Sequence, residues 1–361
     1  MSPKRTLAAL LFTTAITAAQ PSAPSPSRDP DALPQQQDAI EIGGGALVLT
    51  DPRLHLADAP ACAFRNAVRP DGQPLVIAHR GASGYLPEHT LAAYAAAYFM
   101  GADVLEPDVV LTRDAVPICL HDLTLDDTTD AATKFPDRAR PDGKRYAIDF
   151  TLAEIKSLAK LGREGRPRLP GQTIPTLNET LTLLAELNAR TGRTVGVIPE
   201  PKDPAFHRSE GIPIEPVLLQ SLTAHGYEGP NARCAVQCFD LASLEAMRKD
   251  LGSTLPMAYL IADPVDRATL ERAARTCSAL GPKRSLLLEK RNDRWEIART
   301  LVEAREIGLA LYPWTFANDE DEMSVFFAIG VDGLFTDFPD HGAAAREAVR
   351  HDAAPPLHAE D

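Results

Sequence analysis

Four short runs in this chain end in side chains that move protons or hold charge. His79 and Arg80 close VIAHR, Glu106 and Asp108 stand two apart in LEPDVV, His121 and Asp122 close PICLHD, and Glu200 and Lys202 close VGVIPEPK. Residues two apart in a strand share a face, so Glu106 and Asp108 converge on one point. Two carboxylates in a mostly apolar setting repel each other and are costly to bury unless a cation lies between them. Glu200, from a neighbouring strand, adds a third oxygen ligand. Three carboxylates make a hard-oxygen site for one divalent cation, Ca2+ or Mg2+, whereas zinc favours His or Cys. The imidazoles are then better spent on protons, with His79 and His121 as general base and general acid for an attacking and a leaving oxygen. Arg80 and Lys202 neutralise an anionic group, Arg80 with the two-pronged grip that suits phosphate. Together these groups describe phosphoryl chemistry better than glycoside hydrolysis, which needs a carboxylate pair free of metal.

Such groups need a scaffold that brings separate strand ends together. From Leu75 onward, apolar runs of strand length alternate with segments of helical period. The strands are expected at Leu75–His79, 104–111, 116–121, 194–200, 233–239, Met257–Ile261, 285–289, 310–315 and Gly333–Thr336. Between most of them, helices are expected at 90–100, 176–191, 215–225, 241–251, 266–279, 293–307 and 319–329. Repeated strand–helix units predict an α/β fold with a parallel sheet and right-handed crossovers, and the count fits a (β/α)8 TIM barrel. The ninth strand is absorbed if 104–111 and 116–121 form a hairpin-like extension. In a barrel the active groups belong at the C-terminal strand ends, where His79, His121 and Glu200 fall. Pro201 cannot donate to a ladder, so its strand must end or lie at an edge there. Residues 123–172 break the rhythm, with one expected helix at 151–160 opened by a Thr151–Glu154 capping box; a loop this long reads as a cap inserted over one end of the barrel.

The chain has 361 residues, 44% hydrophobic and 24% charged, enough to bury a full core. Its formal charge is −13 and no basic run stands out, so a nucleic-acid partner is not expected. Lys4 and Arg5, the apolar run after them and the small residues near Ala18 read as an export signal over 1–20, too short for a membrane anchor. Residues 21–39, rich in Pro, Ser and Gln, read as a linker, and 40–350 as one barrel domain. The expected location is periplasmic or secreted, without stable membrane insertion. Five cysteines, Cys62, Cys119, Cys234, Cys238 and Cys277, are an odd number for an exported chain. Cys234 and Cys238 read as small buried apolar residues, and the fold is not expected to depend on disulfides.

HRGASGYLPEHT, LEPDVVLTRDAVPICLHDLTLDDTTD, PEPKDPAFH and GLFTDFPD together resemble the glycerophosphodiester phosphodiesterase family, specifically its periplasmic bacterial branch. KFPDRARPDGKRYAIDFTLAEIKSL resembles the insertion of that branch, so the match runs in pieces over 75–340. The resemblance implies a (β/α)8 barrel, a calcium or magnesium requirement, and cleavage of deacylated phospholipids to sn-glycerol 3-phosphate and an alcohol. By resemblance, Glu106, Asp108 and Glu200 take the metal-ligand positions, His79 and His121 the acid–base positions, and Arg80 and Lys202 the phosphate contacts. The attacking oxygen is either water or the substrate's own glycerol hydroxyl. Phe239, Trp314 and Phe316 lie near strand ends, where an aromatic wall packs on a glycerol backbone or, alternatively, on the core. The rival readings are a sphingomyelinase-D-like phospholipase, a teichoic-acid-type hydrolase of polyglycerol phosphate, and a non-catalytic exported binding protein. Retention of both histidines and all three carboxylates argues against the last.

Overall fold

The computed structural model describes residues 39–42, 45–48, 62–163, 165–291 and 294–352. The reading of 1–20 as an export signal, and that of 21–39 as a linker as far as residue 38, lie outside the described residues; Ala39 opens a short strand, Ala39–Ile42. Eight parallel strands form the centre: β1 Leu75–His79, β2 Val104–Glu106, β3 Gly196–Val197, β4 Val236–Cys238, β5 Met257–Ile261, β6 Ala279–Pro282, β7 Ala310–Leu311 and β8 Gly333–Thr336. Pairing runs β8–β1–β2–β3 and β4–β5–β6–β7. A parallel bridge from Val197 to Cys234 joins the two sets on one side. On the other, Asp332 N–H donates to Leu311 O (3.0 Å) and Phe335 N–H to Pro313 O (2.9 Å), which closes the barrel.

The strands read as unbroken apolar runs because both faces are covered. Leu75 and Ile77 of β1 belong to the barrel interior with Val104, Ala235, Ala258, Ala279 and Ala310. Val76 and Ala78 point the other way, into the helix layer. Strand parity therefore carries His79 and Glu106 into the barrel mouth, continuing the rows 75–77–79 and 104–106. Helix Ala63–Val68 contributes Phe64 and Val68 to the same interior cluster as the N-terminal halves of the strands. Each fully buried Leu or Ile stabilises the fold by roughly 1.5–3 kcal/mol.

The expected strand 104–111 divides at Pro107 into β2 and Asp108–Leu111. The second piece leaves the barrel wall, pairs antiparallel with Pro117–Cys119 and parallel with Glu200–Pro201, and so makes the hairpin-like extension. Asp108–Leu111 is the middle strand of that small sheet, so Pro201 lies on an edge where no donor is required.

The expected barrel strand at 285–289 is a correction. That slot belongs to β6, Ala279–Pro282, of which the sequence reading put Ala279 at the end of a helix and assigned the rest to no element; the helix itself stops earlier, at Arg267–Ala274. Small residues and Pro282 hide the strand signal, but Gly281 is where β5 packs closest: a Cβ there would lie 2.4 Å from the Leu260 side chain. The apolar SLLL run instead forms a 3-10 turn, Arg284–Leu286, and a strand, Leu288–Arg291, antiparallel to Arg294–Ile297. The expected helix at 293–307 accordingly starts later, as Arg299–Ile307.

The inserted 123–172 segment holds short helices Ala131–Lys134 and Leu152–Lys156 and two 3-10 turns. The Thr151–Glu154 capping box is present. Leu125, Ala131, Ala147, Phe150, Ile155 and Leu158 give this cap its own core against Val110, Ile118 and Leu120. All five cysteines are free and buried. Among the described residues, no helix is long and apolar enough to cross a membrane.

Candidate active site

Register brings the acidic groups together. β1 pairs with β2 so that His79 lies beside Glu106, and the extension pairs Asp108 with Glu200. Glu106, Asp108 and Glu200 are all buried and offer oxygens that lie within 4.8 Å of one another. Immediately after β1, Arg80 turns into the left-handed region (φ 58°). Its N–H is shared between Glu106 O (3.1 Å) and Glu106 Oε2 (2.8 Å). Gly81 follows at φ 85°, and a Cβ there would come 2.8 Å from the Ala93 carbonyl carbon, so the turn requires glycine. This tight corner sends the Arg80 side chain back over the carboxylates, with Nε 3.2 Å from Asp108 Oδ2 and Nη1 3.3 Å from Glu88 Oε2. Lys202 approaches from the opposite side, 2.7 Å from Glu200 Oε1 and 3.7 Å from Asp108 Oδ1.

Burial and mutual repulsion split the three carboxyl groups. Burial, then the Asp108 and Glu200 charges, push Glu106 well above the usual carboxylate range. Burial pushes Glu200 up to about 8, with Asp108 adding to the rise and Lys202 opposing it. Asp108 is also buried, but Lys202, the hydrogen bond from His89 and Arg80 together hold it well below the usual range. The chain's own cations therefore neutralise one carboxylate and leave two strained. An all-oxygen donor set of this size, with uncompensated acidity, fits a hard divalent cation.

Each candidate imidazole rests on an aspartate. His79 Nδ1 lies 2.7 Å from Asp337 Oδ1, and His121 Nδ1 lies 2.6 Å from Asp122 Oδ1. Burial would raise Asp337, yet the His79 hydrogen bond and the nearby Arg166 bring it down to about 2. Asp122 is likewise held at about 2, against its burial, by His121 and Arg163. Both carboxylates are thus ionised near neutrality and accept from Nδ1–H, which leaves each Nε2 without the proton in the neutral ring. Burial and the Arg80 charge lower the His79 pKa, which keeps that ring neutral.

These side chains face one cavity of about 210 Å³, lined by His79, Arg80, Asp108, His121, Glu200 and Lys202, with Phe239 and Trp314 on the far wall. Glu106 stands behind them in the triad. The volume falls below the roughly 300 Å³ at which drug-sized pockets begin. Phe239 and Trp314 meet edge to face at 5.6 Å, and Trp314 Nε1 donates to Gly281 O (2.8 Å). Phe316 does not join them; it is fully buried against Phe326, so its alternative, core packing, holds. A second cavity, about 730 Å³, borders the first across His121, Glu200, Lys202 and Phe239, and is walled further out by Tyr146, Asp203 and Asp240.

Three site residues escaped the sequence reading. His89, one residue before the expected helix at 90–100, sits at φ 56° with Nε2 2.9 Å from Asp108 Oδ2 and Nδ1 2.7 Å from Tyr94 Oη. Gln237 donates to Glu106 Oε1 (3.1 Å) from β4; a polar residue inside AVQCF was the available signal. Asp337 follows β8 and obeys the same strand-end rule that found His79.

The family model for the glycerophosphoryl diester phosphodiesterase family matches residues 79–341. A glycerophosphodiester phosphodiesterase of Haemophilus influenzae is 31% identical, with 76% of this chain and 90% of that protein aligned. One from Bacillus subtilis is 32% identical over 76% of this chain and 87% of its own. Among solved structures, an Oleispira antarctica phosphodiesterase in complex with the product sn-glycerol-3-phosphate superposes with a TM-score of 0.58 at 24% identity, covering 77% of this chain and 98% of that one. At that identity the likeness establishes the shared barrel fold.

Proposed function

From the premise that this chain belongs to the glycerophosphoryl diester phosphodiesterase family and is an enzyme of that kind, we propose that it cleaves glycerophosphodiesters to sn-glycerol 3-phosphate and an alcohol at the 210 Å³ cavity, with one divalent cation held by Glu106, Asp108 and Glu200. The observation that carries the reading is the convergence of that triad, two aspartate-backed imidazoles and two cations on a single small cavity. Ca2+ or Mg2+ suits the donor set, and when bound it offsets the carboxylate charge and polarises the phosphoryl oxygens.

Arg80 and Lys202 orient the phosphate. His79, neutral and tied through Nδ1 to Asp337, accepts a proton at Nε2 from the attacking oxygen, whether water or the substrate's glycerol hydroxyl. His121, tied through Nδ1 to Asp122, acts in its imidazolium form and delivers the Nε2 proton to the leaving oxygen, ending as the neutral Nδ1–H ring; it stands at the border of the larger cavity, which has room for the departing alcohol. Phe239 and Trp314 shield the glycerol side. Glycerophosphocholine and glycerophosphoethanolamine are substrates of this form. The chain's negative charge gives no long-range attraction to them, so capture rests on these local cations.

The test is release of glycerol 3-phosphate from glycerophosphocholine, with and without chelator, in the wild type, His79→Ala and Glu106→Ala. Loss of activity in all three perturbations is expected. Activity that survives chelation rejects the metal role, and full activity in His79→Ala rejects its proton transfer. We further propose that the protein is of the periplasmic branch and exported, as one catalytic domain spanning 40–350 with the insertion at 123–172. The basic start and apolar run of the first twenty residues support this; the N-terminal sequence of the mature protein from whole cells checks it.

A further inference from the structure

We propose that Arg163 and Arg166, two side chains of the inserted cap, are positioning residues that fix the two imidazoles, one each, through the far oxygens of Asp122 and Asp337. In both dyads the histidine uses Oδ1 only, and an arginine occupies Oδ2. Arg163 Nη2 lies 2.8 Å from Asp122 Oδ2, and Arg166 Nη2 lies 2.8 Å from Asp337 Oδ2. A carboxylate held at one oxygen still turns about its Cβ–Cγ bond and swings the attached ring. Held at both oxygens, its plane is set, and with it the direction of Nε2.

The two contacts differ in kind. Arg166 makes one charged contact, and Asp337 is further steadied by Ser83 Oγ at 2.9 Å from Oδ1. Arg163 bridges two carboxylates: besides Asp122, its Nε and Nη2 reach Glu88 Oε2 and Oε1 at 3.2 and 2.9 Å. Glu88 in turn meets Arg80 Nη1 at 3.3 Å. One guanidinium therefore couples the orientation of His121 to that of the phosphate-binding Arg80. The barrel alone does not complete the site; a short strap of the insertion orients both proton-transfer groups.

The inference rests on the function proposed above, so its test has a substrate-independent arm. Arg163→Gln and Arg166→Gln are compared with Arg163→Lys and Arg166→Lys on glycerophosphocholine at saturating divalent cation. Misorientation of a reacting group costs roughly 10²-fold per ångström. We expect kcat to fall about tenfold or more in Arg163→Gln and several-fold in Arg166→Gln, with KM within about twofold. Lysine reproduces a single charged contact but not a fork, so Arg166→Lys restores most of kcat and Arg163→Lys little of it. Imidazole 15N–1H spectra, recorded at a pH where both rings are neutral, supply the second arm: the wild type shows one Nδ1–H tautomer for both rings, and a mixed tautomer arises at His121 alone in Arg163→Gln and at His79 alone in Arg166→Gln. Unchanged kcat in both glutamine variants, or unchanged spectra at both rings, overturns the proposal. So does a loss that merely tracks the folded fraction, as a purely structural cap-to-barrel clamp predicts. If the wild type releases no glycerol 3-phosphate, the functional reading fails while the spectra still decide this one; if a glutamine variant does not fold, the contrast between the lysine variants decides it.

Discussion

Removing the divalent cation should make the protein less stable as pH rises from about 6.5 to 8, a trend opposite to that of an ordinary acid-labile domain. Glu200 has its carboxyl pushed up to about 8 by burial, against 4.5 for a free glutamate. Within that interval the folded state keeps a proton the unfolded state has lost, so stability falls as pH rises. Glu106, pushed well above the usual range by burial, acts in the same direction. The remaining groups act mainly outside the window. Burial lowers His89 and His207 to about 4, so their effect runs the other way; at pH 6.5 the unfolded rings are half neutral, and the gain left to each, about 0.4 kcal/mol, is spent by about pH 7.5. Lys160, lowered to about 8 by burial, restores stability only above that pH. The Asp122 and Asp337 carboxylates, held at about 2, matter only in acid. Over the roughly 1.5 pH units that remain, at 1.36 kcal/mol per unit, Glu200 costs about 2 kcal/mol. Thermal melts in chelator at pH 6.5, 7.2 and 8.0 should drop by several degrees, and saturating Ca2+ or Mg2+ should flatten the series while raising every value. Chelated melts that are flat or rising over this range would refute the claim that the triad is an uncompensated acidic cluster.

His89→Gln should leave the phosphate cations in place but release Asp108, weakening divalent-cation affinity about 10–100-fold by titration calorimetry; wild-type affinity would remove His89 from the site. His121→Ala should abolish release of choline yet retain much activity on a p-nitrophenyl glycerophosphodiester, whose leaving group needs no proton; equal losses on both substrates would deny it the general-acid role. Gly81→Ala should destabilise the domain by about 1–3 kcal/mol in urea unfolding, since φ 85° and a Cβ 2.8 Å from the Ala93 backbone strain the corner that aims Arg80; an unchanged midpoint would contradict that geometry.

The barrel was legible because its strands are apolar on both faces and its chemistry sits at strand ends. Parity in 75–77–79 and 104–106 is a local signal, and in the structure it turns His79 and Glu106 to the same side of neighbouring strands. What failed was local in a different sense. β6 is Ala-Leu-Gly-Pro, a run with weak strand propensity whose place is settled by the Leu260 side chain packed against Gly281. SLLL, four residues on, looks more like a strand than β6 does; tertiary packing overrides the pattern. His89 was missed for a related reason: it stands immediately before the helix N-cap Thr90, and only its positive φ and its reach to Asp108 reveal the second task.

The cap shows where reading by strand ends must stop. Its arginines carry no strand signal and stand in a run of Gly, Pro and charge that composition alone assigns to a surface loop. Their partners, Glu88, Asp122 and Asp337, come from three separated parts of the chain, 34 residues apart in one step and 215 in the next by their numbering. Long-range pairing of that kind is invisible to periodicity, yet it decides the electrostatics of the site. Asp122 and Asp337 each carry a histidine on one oxygen and an arginine on the other, so in a chain with a formal charge of −13 the acidic groups around the cavity are paired with cations, gathered in the triad or held in place. The barrel supplies the positions of the reacting groups, and the insertion supplies the constraint that keeps them aimed.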